Sequence, residues 1–425
     1  VPGFGPVFCS GGFDRKLIQW DQHANPLCVV EGYANGLSGL DSTQGAIIGS
    51  YESGDVLQWN ISEPSKDISL SGQHKETPQE RPLHEHQGPA YCVAVDPNDE
   101  WIVSGGRSGT MTINELNSGR QPIIVEEAHN HWIWSVDISP NGRQIATGSE
   151  DQRVHLWDLP LPSSLGDANP TVCKPEDTKI RELGLSHGDR VRVVRYHPKP
   201  EKRLLASGGY DRAVRFWDSE NGNQRGLLEH VEQDDNWIYA LDFGERWFAA
   251  AWGNSKIRVW EVDTLLTHDG PWSEVPFAEL NNDVPAPGPL NGLVQDDHAK
   301  SSTILEIRFI SDSRLVATGT DKKVRVWERE DSWSDPENVF TFEHEHSVTS
   351  LAVLEDGRIC SGDAGGNGYI WDPDESSGEA VAFSPLLPYQ GLDLTGARRR
   401  DVENSTLPEL SEAEQQTLRR LGATV

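Results

Sequence analysis

Three His-x-His pairs, His84/His86, His129/His131 and His344/His346, are the residues of this 425-residue chain whose types and spacing first suggest chemistry. Paired imidazoles hold zinc when further Cys, His or carboxylate ligands complete a tetrahedron. Here each pair precedes an apolar run, and no Cys pair at zinc spacing accompanies any of them. Aligned by their surroundings, His86, His129 and His344 share one repeat position, so the second His precedes it in one case and follows it in the others. No common ligand face results, and no metal site is expected. Nucleophilic catalysis has as little support. Ser-Gly-Gly recurs, but no Gly-x-Ser-x-Gly elbow is present, and Asp–His pairs recur with the repeat itself. A phosphate-cradling Gly-rich loop with Lys and Ser/Thr is also lacking. The sequence nominates no catalytic residue and no cofactor; any enzyme would lie upstream of Val1.

The elements that carry these residues repeat. Eight times the chain shows a β-type run, a Ser-Gly or Thr-Gly step, a polar turn, and alternating residues ending in Trp-Asp or a variant. The phrase reads CSGGFDRKLIQWD at Cys9–Asp21, ATGSEDQRVHLWD at Ala146–Asp158, ASGGYDRAVRFWD at Ala206–Asp218 and ATGTDKKVRVWE at Ala317–Glu328. Weaker copies end at Trp59-Asn60, Asn114-Glu115, Trp260-Glu261 and Trp371-Asp372. Apolar alternation marks inner strands at Ala90–Val95, Ile133–Ile138, Val191–Tyr196, Ile238–Phe243, Ile304–Phe309 and Val348–Val353. Outer strands fit Pro122–Glu126, Arg225–Leu228, Val275–Leu280 and Val339–Phe342. Long connections at Ile61–Gln79, Pro160–Asp177, Val262–Ser273 and Asn281–Ser301 are expected to be functional or disordered loops.

A period of roughly 40 residues with this ending resembles the WD40-repeat β-propeller from the first residues to about Phe383. The resemblance implies an all-β ring of seven to eight four-stranded blades, and eight countable third strands favour eight. The first blade would lack its innermost strand. The family pattern of a His, a Ser or Thr, a turn Asp and a Trp joined by hydrogen bonds falls on His129, Thr147, Asp151 and Trp157, and again on His187, Ser207, Asp211 and Trp217. Turn Asp to Trp is six residues in both. Other copies depart from the pattern, with Asn254, Ser108, Ser53 and Gly365 where the turn Asp is expected, so those blades should rely on apolar strands.

The resemblance also implies a binding rim. Positions at the start of each inner strand and just before the turn Asp would line the mouth of the central channel. Carried over, these are Tyr91, Trp132, Trp134, Arg190, Arg192, Trp237 and Tyr239, with Phe13, Arg107, Glu150 and Tyr210 at the turns. The remaining blades offer Ser38, Thr303, Ser347 and Thr349 there, so aromatic and Arg side chains should gather on one arc beside the loop Asn281–Ser301. Trp, Tyr and Arg are the usual hot-spot residues of interfaces. The implied function is recognition of a protein or peptide through an acidic or apolar anchor.

Composition agrees with such a role. The formal charge of −30 disfavours a nucleic-acid or anionic-membrane partner, since phosphate neutralisation needs clustered Lys and Arg. Five cysteines, Cys9, Cys28, Cys92, Cys173 and Cys360, sit mostly in apolar runs and suit reduced core thiols and a cytoplasmic location. With no Met at Val1 and a first repeat that begins at its second strand, the chain reads as the C-terminal piece of something longer. Beyond residue 383 the pattern changes to a pentapeptide-like coil at Leu387–Ala397, then a helix opened by the capping box Ser411-Glu412-Ala413-Glu414, giving domains 1–383 and 384–425. This tail resembles C-terminal tails of bacterial, especially cyanobacterial, multidomain proteins in which such repeats follow a signalling NTPase of the NACHT/STAND kind. The implied setting is a sensor or scaffold region with an NTPase or protease domain upstream; the alternative is a stand-alone scaffold subunit.

Overall fold

In the computed structural model the described residues are 8–11, 16–20, 26–31, 36–43, 46–68, 74–116, 120–159, 171–175, 180–183, 187–229, 237–253, 256–267, 278–281, 303–329, 333, 337–354, 356–373 and 381–383. Contacts divide the chain into two units, Gly36–Phe383 and the paired segments Val1–Asn35 and Ser384–Val425. In the second unit Phe8–Gly11, Lys16–Trp20 and Pro26–Glu31 form a three-stranded antiparallel sheet. The expected coil and helix after residue 383 lie outside the described residues, as do Phe13, Asn254 and the loop 282–302.

Gly36–Phe383 folds as seven sheets, each built on a four-stranded antiparallel meander, with one further strand added to the second sheet from the connection inside the third. The inner strands are Leu37–Ser42, Ala90–Val95, Ile133–Ile138, Val191–Tyr196, Ile238–Phe243, Ile304–Ser311 and Val348–Val353, and the sheets are numbered here as blades one to seven in that order. The first inner strand packs beside the second on one side and the seventh on the other, which closes the ring at seven rather than eight. The first of the eight repeat phrases does not form a blade of this ring. Its third strand, Lys16–Trp20, belongs to the three-stranded sheet of the other unit.

The seam between blades one and seven is apolar. Leu37, Leu40, Ile47, Tyr51 and Leu57 share a buried cluster with Ala352, Leu354, Cys360 and Ile370. Cross-seam hydrogen bonds add to it: Ser42 Oγ donates to Val353 O at 3.1 Å, Ser350 Oγ donates to Leu37 O at 3.2 Å, and the Thr349 hydroxyl also donates to Leu37 O. Cys92, Cys173 and Cys360 are buried free thiols.

Turn chemistry explains why a loosely written repeat still makes a regular hairpin. Gln152, Arg212 and Lys322 all adopt positive φ (73°, 66° and 67°), a conformation costly for residues with a Cβ. The preceding Asp supports each of them by accepting from the backbone N–H two residues on: Arg153 on Asp151 at 3.1 Å, Ala213 on Asp211 at 3.3 Å, Lys323 on Asp321 at 3.4 Å. Where the Asp is replaced by Ser53, Ser108 or Gly365, the next residue is glycine, and Gly54, Gly109 and Gly366 take the positive φ themselves.

Two connections differ from the expected loops. Much of Ile61–Gln79 is strand: Asp55–Ile68 and His74–Glu85 run on as a long antiparallel ribbon beyond the blade, with a register shift between Asn60 and Ser65. From the connection Pro160–Asp177, Thr171–Cys173 returns to pair in parallel with Ile123–Val125, making a fifth strand on blade two and covering its outer edge. Val262–Thr267 is a short helix.

Candidate functional site

The polar chains come first, because they fix the turns beside the rim. In blade three His129 Nδ1 lies 3.0 Å from Asp151, its Nε2 lies 2.7 Å from Thr147 Oγ1, and the Trp157 indole donates to that hydroxyl at 3.1 Å. Blade four repeats this with His187, Asp211, Ser207 and Trp217 at 2.9, 2.7 and 2.8 Å. Burial works to raise both carboxyls, but hydrogen bonds and charge from the paired His prevail and hold Asp151 and Asp211 at about 2.

Blade seven corrects the expectation that its chain is lost. Gly365 does occupy the turn, yet Asp363 faces His344 at 3.3 Å, while Ser361 Oγ meets His344 at 2.8 Å and Trp371 at 2.7 Å. In blade two Asn114 stands in the Trp position, and His84, two residues before the repeat histidine His86, joins the chain instead. His84 and His86 both place Nε2 2.7 Å from Ser104 Oγ. These imidazoles are therefore parts of the core polar chain. Among the described residues no group of three or more His, Cys, Asp or Glu is gathered closely enough to hold a metal ion.

Every inner strand carries a register shift between its first and third residues. A bulge leaves its extra residue unpaired and re-aims the side chain. The bulged residues are Ser38, Tyr91, Trp134, Arg192, Tyr239, Leu305 and Thr349, so blades two to five contribute all the large polar or aromatic ones. This one feature gives the rim its composition.

The rim residues form a continuous array. Arg107 lies over the Trp132 ring at 5.1 Å, Trp132 meets Trp134 edge-on at 5.4 Å, Tyr91 stacks on Trp134 at 4.6 Å, and Arg192 lies over Trp134 at 5.0 Å. The Trp134 indole donates to Glu150 at 2.7 Å, and the same carboxylate takes Arg190 at 2.8 Å. Arg190 in turn lies over Tyr210 at 5.5 Å, and Tyr210 stacks on Trp237 at 4.5 Å, with Tyr239 behind both. Cation–π contacts of this kind draw a guanidinium to the ring face through the ring's quadrupole.

Two sequence expectations change here. Tyr239 is only 6% exposed and supports the array from beneath. Arg190, expected as a rim cation open to a partner, is paired with Glu150. Arg107 and Arg192 are the rim arginines that make no ion pair or side-chain hydrogen bond among the described residues.

Sequence reasoning missed the lower channel. The fifth inner-strand residues are Asp41, Ala94, Asp137, Arg195, Asp242, Arg308 and Ala352, and the first six line a cavity of about 460 Å³. Each Asp clamps the next blade through a backbone N–H: Val95 on Asp41 at 2.7 Å, Tyr196 on Asp137 at 2.6 Å, Phe309 on Asp242 at 2.7 Å. Glu306 bridges the two cations, meeting Arg195 at 2.9 Å and Arg308 at 2.5 Å. Burial dominates and raises Asp137 to about 6. The signal was present as alternating charge at one repeat position.

A closed ring of bulged inner strands with this polar chain is the architecture of WD-repeat proteins, scaffolds that display a rim for protein binding. Gly36–Phe383 is a seven-bladed WD40-repeat β-propeller, and the family pattern "WD domain, G-beta repeat" matches residues 78–113, 120–158, 179–218, 292–328 and 336–372. Relatives include a coronin-like protein of Saccharomyces cerevisiae, 27% identical over 40% of this chain and 26% of that protein. A guanine nucleotide-binding protein subunit beta of Oryza sativa subsp. indica is 24% identical over 69% of this chain and 70% of its own length. Among solved structures, the WD40 β-propeller domain of Doa1 superposes with a TM-score of 0.58 at 15% identity, covering 82% of this chain and 96% of that one. Both named relatives are eukaryotic.

Proposed function

We propose that this chain is a non-catalytic recognition module that takes a protein or peptide segment on the arc running from Arg107 to Trp237. The observation that carries this reading is the unbroken aromatic–Arg array across four neighbouring blades, beside which the rest of the mouth offers Ser38, Leu305 and Thr349. Rings give contact area at low entropic cost, and stacked guanidinium groups give directed anion contacts. Partners captured by the wild-type chain are expected to be lost, or weakened at least tenfold, with Trp134→Ala and Arg192→Ala. Equal capture by all three would move the binding face away from this rim.

The wider setting, a C-terminal sensor or scaffold region of a larger bacterial signalling protein, rests on the resemblance of residues 384–425. The coding sequence before Val1 tests it. An NTPase or protease domain there supports the sensor reading, and a start codon close by supports a stand-alone scaffold.

A further inference from the structure

The rim array is two groups of side chains joined through one carboxylate, and what that carboxylate selects deepens the recognition reading above, on which it rests. On one side Arg107 lies over Trp132 at 5.1 Å, Arg192 lies over Trp134 at 5.0 Å, and Tyr91 stacks on Trp134 at 4.6 Å. On the other side Arg190 lies over Tyr210 at 5.5 Å, and Tyr210 stacks on Trp237 at 4.5 Å. Between them stands Glu150. Its Oε2 accepts from the Trp134 indole at 2.7 Å, and its Oε1 meets Arg190 Nε at 2.8 Å.

The fold fixes Glu150 independently of any partner. Its backbone N–H donates to Trp132 O at 2.9 Å, and the next residue, Asp151, is tied to His129 at 3.0 Å. The Glu150 side chain is only 10% exposed, whereas that of Arg190 is 47% exposed. At the same turn position blades two and four carry Arg107 and Tyr210, so among these three neighbours the acid belongs to blade three alone.

Charge therefore differs between the two sides. Arg107 and Arg192 make no ion pair among the described residues, so an acidic group of a partner gains a charge-assisted contact on either of them. The Arg190 guanidinium has donors besides Nε. An acid placed on them stands beside the Glu150 carboxylate, and like charges brought together at an interface oppose binding. Tyr210 and Trp237 are left as ring surface beside a neutral pair.

We propose that Glu150 sets the specificity of the rim. It leaves Arg107 and Arg192 as the acid-accepting side and makes Tyr210 and Trp237 an apolar side, so that the rim selects a peptide segment acidic at one end and apolar at the other. A segment acidic at both ends is disfavoured, because its second acid meets the Glu150 carboxylate at Arg190.

The test uses the full chain and immobilised degenerate peptide pools with an acid at neither end, at one end or at both, each absent acid being replaced by its amide. The wild type should be retained about fivefold better by the one-acid pool than by the acid-free pool, and a second acid should add less than about twofold. Glu150→Gln keeps an acceptor for the Trp134 indole and removes the charge. In that variant the second acid should add about fivefold, and Glu150→Gln/Arg190→Ala should lose the gain. A purely structural role for Glu150 would instead weaken all pools alike, and unchanged thermal melting shows that the variants are folded. A pool preference unaltered by Glu150→Gln overturns the proposal, as does a gain that survives Arg190→Ala or a wild type indifferent to the first acid. Retention of no pool above the level of Trp134→Ala overturns it as well. The recognition reading survives that last result if captured partners are still lost with Trp134→Ala, and falls with it if they are not.

Discussion

Between pH 7 and pH 5 the protein is expected to lose stability, by about 2 kcal/mol, well before its carboxylates protonate in bulk. Burial depresses His86 to about 4. Burial, followed by the nearby His129, depresses His155 to about 3. Burial also lowers His84, His187 and His197. An unfolded His protonates near 6.5, so below that pH the unfolded chain binds protons that the folded chain refuses. The stabilisation is complete above 6.5 and declines as pH falls toward the folded values. His86 and His155 each forfeit about 2 kcal/mol by pH 5, at 1.36 kcal/mol per unit. Asp137 acts in the opposite sense. Raised from 3.8 to about 6, it gains protons on folding and returns about 1 kcal/mol by pH 5, with Asp41 and Asp242 raised in the same direction. The histidines prevail because more of them are buried neutral. Urea midpoints at pH 7, 6 and 5 check this, and a stability that stays level or rises toward pH 5 contradicts it.

The second large effect separates two buried threonines on the second strands of their blades, Thr147 in blade three and Thr318, one repeat position further on, in blade six. Thr147→Val removes the hydroxyl that joins His129 and the Trp157 indole, stranding both where no water reaches. An expected cost of about 1–3 kcal/mol follows. Thr318 is equally buried, but its hydroxyl has no hydrogen-bond partner. Thr318→Val therefore removes an unsatisfied group of the same shape and should change stability by less than about 0.5 kcal/mol, or raise it. Denaturation midpoints decide, and equal losses at both sites would refute the role given to the polar chain. Asp151→Ala, which frees His129 and the Asn130 and Arg153 amides, belongs with Thr147→Val.

Much of the ring was legible because its strands alternate. The inner strands read at Ala90–Val95, Ile133–Ile138, Val191–Tyr196, Ile238–Phe243 and Val348–Val353 have those bounds in the structure, and Ile304–Phe309 extends only to Ser311. The blade count was not legible. A Trp-ending strand has the same pattern whether its sheet joins a ring, as at Trp157, or another unit, as at Trp20. The ribbon after Trp59 escaped notice because polar strands such as SEPSKD and KETPQE lack the apolar alternation that marks a buried face. At the rim, residue type was readable and pairing was not. Arg190 and Arg107 look alike in sequence, and only the approach of Glu150 from the neighbouring blade tells the committed cation from the available one.

No strand is exchanged across the seam between blades one and seven, and this sets an order of events during synthesis. Blades two to seven can each assemble against the blade just made. Leu37 cannot: the Thr349 hydroxyl that caps its carbonyl is encoded 312 residues later. At about 5–20 residues per second, translation leaves the apolar face of blade one waiting roughly 15–60 s for its mate. The ring is thus born open, with its first blade the longest exposed. A nascent chain of this protein has most need of a chaperone at Leu37, Leu40 and Ile47, residues that the finished molecule hides completely or nearly so.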